Sequence, residues 1–165
     1  FIIGSKWIIK MKCMSRNNII QKTLVSRFNN DTYSPKRYKT TWKSGWRIVG
    51  GKNIFFRSRW EANYARYLQL LTETGVIKAW EHEPHLFVFD KSKTNLKAYL
   101  PDFKIINNDN SVEYHEVKGW FDERSMAKIN GMKKYYPAQK LLIISNDWFL
   151  ENAKTLKNTI KEWEC

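Results

Sequence analysis

The chain has 165 residues with 29 Lys+Arg against 16 Asp+Glu, a formal net charge of +13 and a pI near 9.7. Apolar residues make up 42% and aromatics 15%, which excludes a disordered chain and fits one domain, or one domain plus an arm. No window approaches the roughly 20 unbroken apolar residues of a membrane span, so a soluble, intracellular protein is expected, and the charge points to a polyanionic partner, nucleic acid before an acidic membrane.

The charge is uneven. Residues 1–52 hold twelve Lys/Arg, Lys43 and Arg47 among them, against the single acid Asp31, for a net +11; residues 53–165 carry only +2. The expected organisation is a basic, partly irregular N-terminal arm over 1–45 and a folded domain over 46–165. The arm reads either as a phosphate-gripping extension or as a solvated tail. Phe1 to Lys12 has neither the apolar run nor the small-residue cleavage site of a signal peptide. Cys13 and Cys165 stand at opposite ends without a CxxC partner, so neither a disulfide framework nor a zinc site is expected.

Past the arm, Trp60, Tyr64, Tyr67, Leu68 and Leu71 fall on one helical face, predicting a helix over 58–73 stopped by Gly75. Val76 to Glu81 and Leu86 to Asp90 read as short strands, the second followed by a polar turn over Lys91 to Asn95. Leu100 to Ile106 and Ser111 to Lys118 read as an antiparallel hairpin about Asn107-Asn108-Asp109-Asn110. Asp122 to Tyr135 reads as an amphipathic helix with Met126, Ile129, Met132 and Tyr136 inward, ended by Pro137. Lys140 to Ser145 is an apolar strand and Asp147 to Trp163 a closing helix. The order is α-β-β-β-β-α-β-α, an α/β fold.

Two strands carry acids where apolar residues are expected, Asp102 and Glu116. Alternation puts Glu116 and Lys118 on one face, and the hairpin lets Asp102 reach the same pocket. Taken singly, each is a turn residue or a solvated ion pair. Together they form a set of hard oxygen ligands for Mg²⁺ with an ammonium beside it, the apparatus for polarising a phosphoryl oxygen and activating water. Glu61 completes a Ser58-x-x-Glu61 capping box, returning a bond to the Ser58 amide; Arg57 and Arg59 at that helix start suit a phosphate. Lys128, Lys133 and Lys134 are a solvated helix face or phosphate contacts, and Trp120 with Phe121 either packs or stacks on an unpaired base. Ser125 caps its helix. His115, facing away from Glu116, reads as packed or solvated, and His82 with His85 lacks a third ligand for zinc.

Pro101-Asp102 and Glu116-Val117-Lys118, in this element order, resemble the motif of the PD-(D/E)XK nuclease superfamily. With Phe56-Arg57-Ser58-Arg59-Trp60-Glu61-Ala62-Asn63, Trp80-Glu81-His82-Glu83-Pro84, Tyr99-Leu100-Pro101-Asp102-Phe103 and Glu116-Val117-Lys118-Gly119-Trp120, residues 40–145 are similar to small bacteriophage Holliday-junction resolvases. They are more distantly similar to phage endonuclease I and to the end-cleaving subunit of some transposases. The resemblance implies a restriction-endonuclease-like core, α-β-β-β-α-β with a mixed central sheet flanked by helices. It implies a Mg²⁺-dependent DNA endonuclease, with Mn²⁺ able to substitute and no organic cofactor, acting as a homodimer on four-way junctions in the cytoplasm of a bacterial host. Asp102 and Glu116, with the Val117 carbonyl, are then the metal ligands, Lys118 orients or activates water, and Glu61 assists.

Two rivals remain: a homing, transposon-end or mismatch-type nuclease on the same core that cuts duplex DNA, and a non-catalytic nucleic-acid-binding module. Deleting residues 1–35 is expected to weaken DNA binding and flatten its salt dependence, since each phosphate contact adds about one unit of slope. Full-strength binding in a filter-retention assay would make the arm's charge merely solvated.

Overall fold

A computed structural model describes residues 43–89 and 97–164, all within the compact unit Trp42–Cys165. The basic segment through residue 42, the turn over Lys91 to Asn95 and both cysteines lie outside the described residues. The first elements are a hairpin not among the expected ones, β1 (Gly45–Val49) with β2 (Lys52–Phe56). Its register closes at Val49↔Lys52, leaving Gly50 and Gly51 as a two-residue turn at φ 57° and 75°. A tight hairpin turn with both central residues at positive φ favours glycine.

Helix α1 (Arg59–Glu73) starts where the capping pattern places it, with Ser58 as N-cap. It ends at Thr74, and Gly75 at φ 68° turns the chain so that the Val76 amide donates to the Leu71 carbonyl at 2.8 Å. Next come β3 (Ala79–His82), the short β4 (Phe87–Val88) and β5 (Ala98–Tyr99), then β6 (Phe103–Ile106) and β7 (Val112–Lys118). Strand β3 begins later than expected because residues 74–77 are taken up in the helix exit. The predicted strand from Leu100 shortens to begin at Phe103, because Pro101 lacks an amide for a ladder. Helix α2 (Glu123–Tyr135), capped by Asp122, leads to β8 (Lys140–Ser145) and α3 (Asn146–Thr159).

The central sheet has the order β3-β6-β7-β8, mixed because β7 pairs antiparallel with β6 and parallel with β8; β4 and β5 form a separate ribbon. Alternation along β7 separates two apolar layers. Val117 joins Phe103, Ile105 and Ile144 in packing against Ala62, Tyr64, Ala65, Leu68 and Leu71 of α1 and Phe149 of α3. Tyr114 joins Phe87, Phe89, Tyr99 and Met132 of α2 on the other face. In α2 the inward stripe runs through Ile129 and Met132; Met126, expected inward, is 41% exposed, since the first turn projects beyond the cluster Met132 anchors. Among the described residues no helix is long and apolar enough to cross a membrane.

Helix α3 stops at Thr159, short of the expected Trp163, because the C-terminal segment is drawn back onto α1. The buried Asn63 side chain donates to the Glu164 carbonyl at 2.8 Å and accepts from its amide at 2.9 Å. The Glu164 carboxylate takes Arg47 of β1 through two bonds of 2.9 Å and Arg66 of α1 at 2.9 Å. These two guanidinium partners lower the Glu164 carboxyl to about 2. Its contribution to stability is therefore complete above the usual Glu value near 4.5 and lost as pH falls towards about 2. Glu164→Ala is expected to cost about 2 kcal/mol at pH 7, the scale of a charge-assisted pair, with a smaller difference from wild type at pH 3. Equal melting temperatures at pH 7 would refute the clamp.

Candidate active site

One end of the sheet collects the acids singled out in the sequence. Extending the β6–β7 register one step beyond Phe103↔His115 sets Asp102 across from Glu116. The backbone ladder stops there, and the Asp102 carboxylate replaces it, accepting the Val117 amide on Oδ2 at 2.8 Å. The amide and carbonyl of a strand residue share an edge, so the Val117 carbonyl faces the Asp102 side as well. Asp102 is 4% exposed. Burial, with Glu116 and Glu61 near, pushes its carboxyl well above the ordinary value, against the pull of the Val117 amide and Arg57.

Glu116 and Lys118 lie on one face of β7, with Lys118 Nζ 3.2 Å from Glu116 Oε1. The other Glu116 oxygen accepts the Tyr99 hydroxyl at 2.9 Å. Glu61 takes part in the cap at the start of α1 and also lies beside the other acids. Its amide donates to Ser58 Oγ at 3.1 Å and its Oε1 accepts the Ser58 hydroxyl at 3.2 Å. The return bond goes to the Arg57 amide at 3.0 Å instead of the expected Ser58 amide, one residue earlier. The buried carboxylate, raised by desolvation, still acts on Asp102.

Arg57, expected on a phosphate, is turned into this cluster. One terminal nitrogen lies 3.0 Å from Asp102 Oδ1 and 2.7 Å from Glu83 Oε1, and Nε stands 4.0 Å from Glu61 Oε2. Burial works against its charge, and Asp102, Glu61, Glu83 and Glu116 together outweigh that. Glu83 and Tyr99 lie in the sequence runs quoted above, with no role assigned to them there, and the structure places both beside the acids. Glu83 precedes a proline at the end of a strand and reads as a turn residue, and Tyr99 reads as one more core aromatic. Ser145 is a third addition: it pairs with Lys118 in the β7–β8 ladder, and its buried hydroxyl has no hydrogen-bond partner among the described residues.

The residues expected on nucleic acid divide. Arg47 is held by Glu164 with only 14% of its side chain exposed, so its fork closes the fold and is not free to grip a phosphate. Lys43 is exposed, and Arg59 makes no ion pair among the described residues. Lys133 and Lys134 are exposed on α2, with Lys134 over the Tyr135 ring, and Lys128 is half-buried. Trp120, two residues past Lys118, is 62% exposed, which removes the packing alternative. On the other side, Trp46, Phe55, Asn53, His82 and Glu83 line a cleft of about 510 Å³ beside β3. His82 packs on Phe56 and Phe103, His85 on Phe87, and His115 accepts a place in the core against Tyr64 at 2.8 Å.

Among the described residues no group of three or more Asp, Glu, His or Cys side chains is arranged to hold a metal ion. The Arg57 guanidinium stands where Asp102 and Glu83 would face one another, and the Val117 amide takes the second Asp102 oxygen. The donor set nevertheless fits a hard divalent cation. It is all oxygen, and the four acids Glu61, Glu83, Asp102 and Glu116 face only two cations, Arg57 and Lys118, so that full ionisation of the acids would leave two negative charges over. Asp102→Asn, which keeps an acceptor for the Val117 amide and removes a buried charge, is expected to raise thermal stability by about 1–2 kcal/mol at pH 7 without added metal. A lower melting temperature would show that Arg57 already neutralises the cluster.

No curated protein and no solved structure matches the chain. Residues 41–153 match the family described as Protein of unknown function (DUF1064), and the chain belongs to that family.

Proposed function

We propose that the protein is a metal-dependent nuclease that hydrolyses DNA phosphodiester bonds, with its site at the end of the central sheet. The observation that carries this reading is the meeting of Asp102 with Glu116 and Lys118 across the β6–β7 edge, the Lys118 ammonium lying 3.2 Å from a Glu116 oxygen on the face both share. The order of helix, antiparallel strands, helix and parallel strand supports a PD-(D/E)XK-type core.

Asp102, Glu116 and the Val117 carbonyl would hold the cation, with Glu61 behind them; when bound, it polarises the phosphoryl oxygen and lowers the pKa of water. The chain's own residues supply the rest. Tyr99 fixes the Glu116 carboxylate by donating to Oε2, so that Oε1 stays on the Lys118 side. Lys118 Nζ orients the attacking water and stabilises charge developing on the phosphoryl oxygens. Water adds to phosphorus through its oxygen as one P–O ester bond breaks; a proton of the water passes to solvent, and the leaving alkoxide takes up a proton from solvent to depart as the free hydroxyl end of the strand.

The exposed rings of Trp120 on one flank and Trp46 with Phe55 on the other suit unpaired bases more than an intact duplex, which favours branched DNA such as a four-way junction. Paired cuts at a junction need two sites, hence two chains. The test is cleavage of a four-way junction and of matched linear duplexes with Mg²⁺. Cutting of the junction is expected, lowered at least about 100-fold by Asp102→Asn or Lys118→Ala. Cutting of duplex at one defined sequence would remove the junction assignment, and unchanged cutting by both variants would remove the site.

A further inference from the structure

Arg57 stands among three of the four acids, yet 55% of its side chain is exposed, so charge holds it in place more than packing does. Asp102 offers it the Oδ1 oxygen, the one not engaged by the Val117 amide. A divalent ion bound to Asp102 needs that same oxygen, and two cations in contact with one carboxylate oxygen repel one another. Glu83 lies at the rim, 35% exposed, with its backbone amide fixed on the Asp102 carbonyl at 2.8 Å. It can keep the guanidinium after Asp102 releases it.

We propose that Arg57 is a displaceable counter-cation: it neutralises Asp102 in the metal-free protein and swings outward on Glu83 when a divalent ion takes Asp102. The inference rests on the metal-dependent reading above. In its outward position the guanidinium faces the substrate side, where it binds a backbone phosphate, so that cation and DNA each favour the binding of the other. Arg57 thereby sets the affinity of the site for metal, holding it low until DNA is present.

The test is Mn²⁺ binding to the full chain without DNA, read by the electron paramagnetic resonance of the free ion. Arg57→Ala is expected to bind Mn²⁺ about tenfold more tightly or better, since it removes a competing charge in contact with the ligand. Arg57→Gln, which keeps hydrogen-bond donors near Asp102 without the charge, is expected to do the same and covers the case in which the alanine variant does not fold. Arg59→Ala removes an equal charge from a neighbour with no acidic partner among the described residues, and less than about a twofold change is expected. Unchanged or weaker binding by the Arg57 variants overturns the inference and leaves the metal reading standing. An equal gain from Arg59→Ala also overturns it, by making the effect one of net charge. Absence of Mn²⁺ binding in wild type and variants alike overturns the metal reading and this inference with it.

Discussion

The carboxylate of Asp102 is the constraint around which the sheet end is organised. It is buried, it follows the fully buried Pro101, and each of its oxygens has one assigned partner, the Val117 amide and the Arg57 guanidinium. The first bond ends the β6–β7 ladder without orphaning an amide. The second ties the segment before α1 to the sheet, and Glu61 ties the same segment from the helix side through the Arg57 amide. Moving Asp102 would therefore disturb the end of β7, where Glu116 and Lys118 sit, and the start of α1 together. Three elements thus converge on one buried acid.

The far side of β7 is stiffened by groups outside the proposed chemistry. Burial lowers His115 and keeps its ring neutral, with Nδ1 against the Tyr64 hydroxyl at 2.8 Å and Nε2 facing Glu113 at 3.5 Å. Glu113 is itself held down to about 2 by His115, Lys140 and Asn107, so this string stays ionised at one end and neutral within. Just past Lys118, a Cβ on Gly119 would stand 3.0 Å from Trp60, and Trp60 stacks on Phe149 at 4.5 Å. The backbone just past β7 thus lies close against the apolar layer, on the side of the strand opposite Glu116 and Lys118.

The elements legible in the sequence were those with a strong period or a clear stop. Helix α1 was marked by Tyr64, Leu68 and Leu71 with Ser58 and Gly75 at its ends, and the β6–β7 hairpin by its polar turn. Asp102, Glu116 and Lys118 could be assembled because alternation and a hairpin fix faces without any coordinates. The β1–β2 hairpin is obscured by the charge of residues 1–52, although Gly50-Gly51 is a turn signal. Arg47 looks like part of that charge because its partner Glu164 lies 117 residues away. Glu83 and Tyr99 could not be found from local pattern, since their roles depend on side chains brought together only by the sheet.

The distribution of charge is the remaining constraint on function. A site carrying four acids against two cations repels a phosphate backbone, whatever the +13 of the whole chain, because screening limits each surface charge to about 10 Å. Attraction and chemistry must then be assigned to different places. On the proposed reading the excess of basic residues in 1–52 would supply the long-range attraction, and the nearly balanced remainder would keep its acids for a cation. Within the site the same conflict recurs on a smaller scale, and Arg57 answers it: one guanidinium is enough to hold Asp102 and Glu83 together, and too little to neutralise all four acids. On the proposed reading, a cluster whose acids outnumber its cations draws a doubly charged partner to the place where a phosphate must follow.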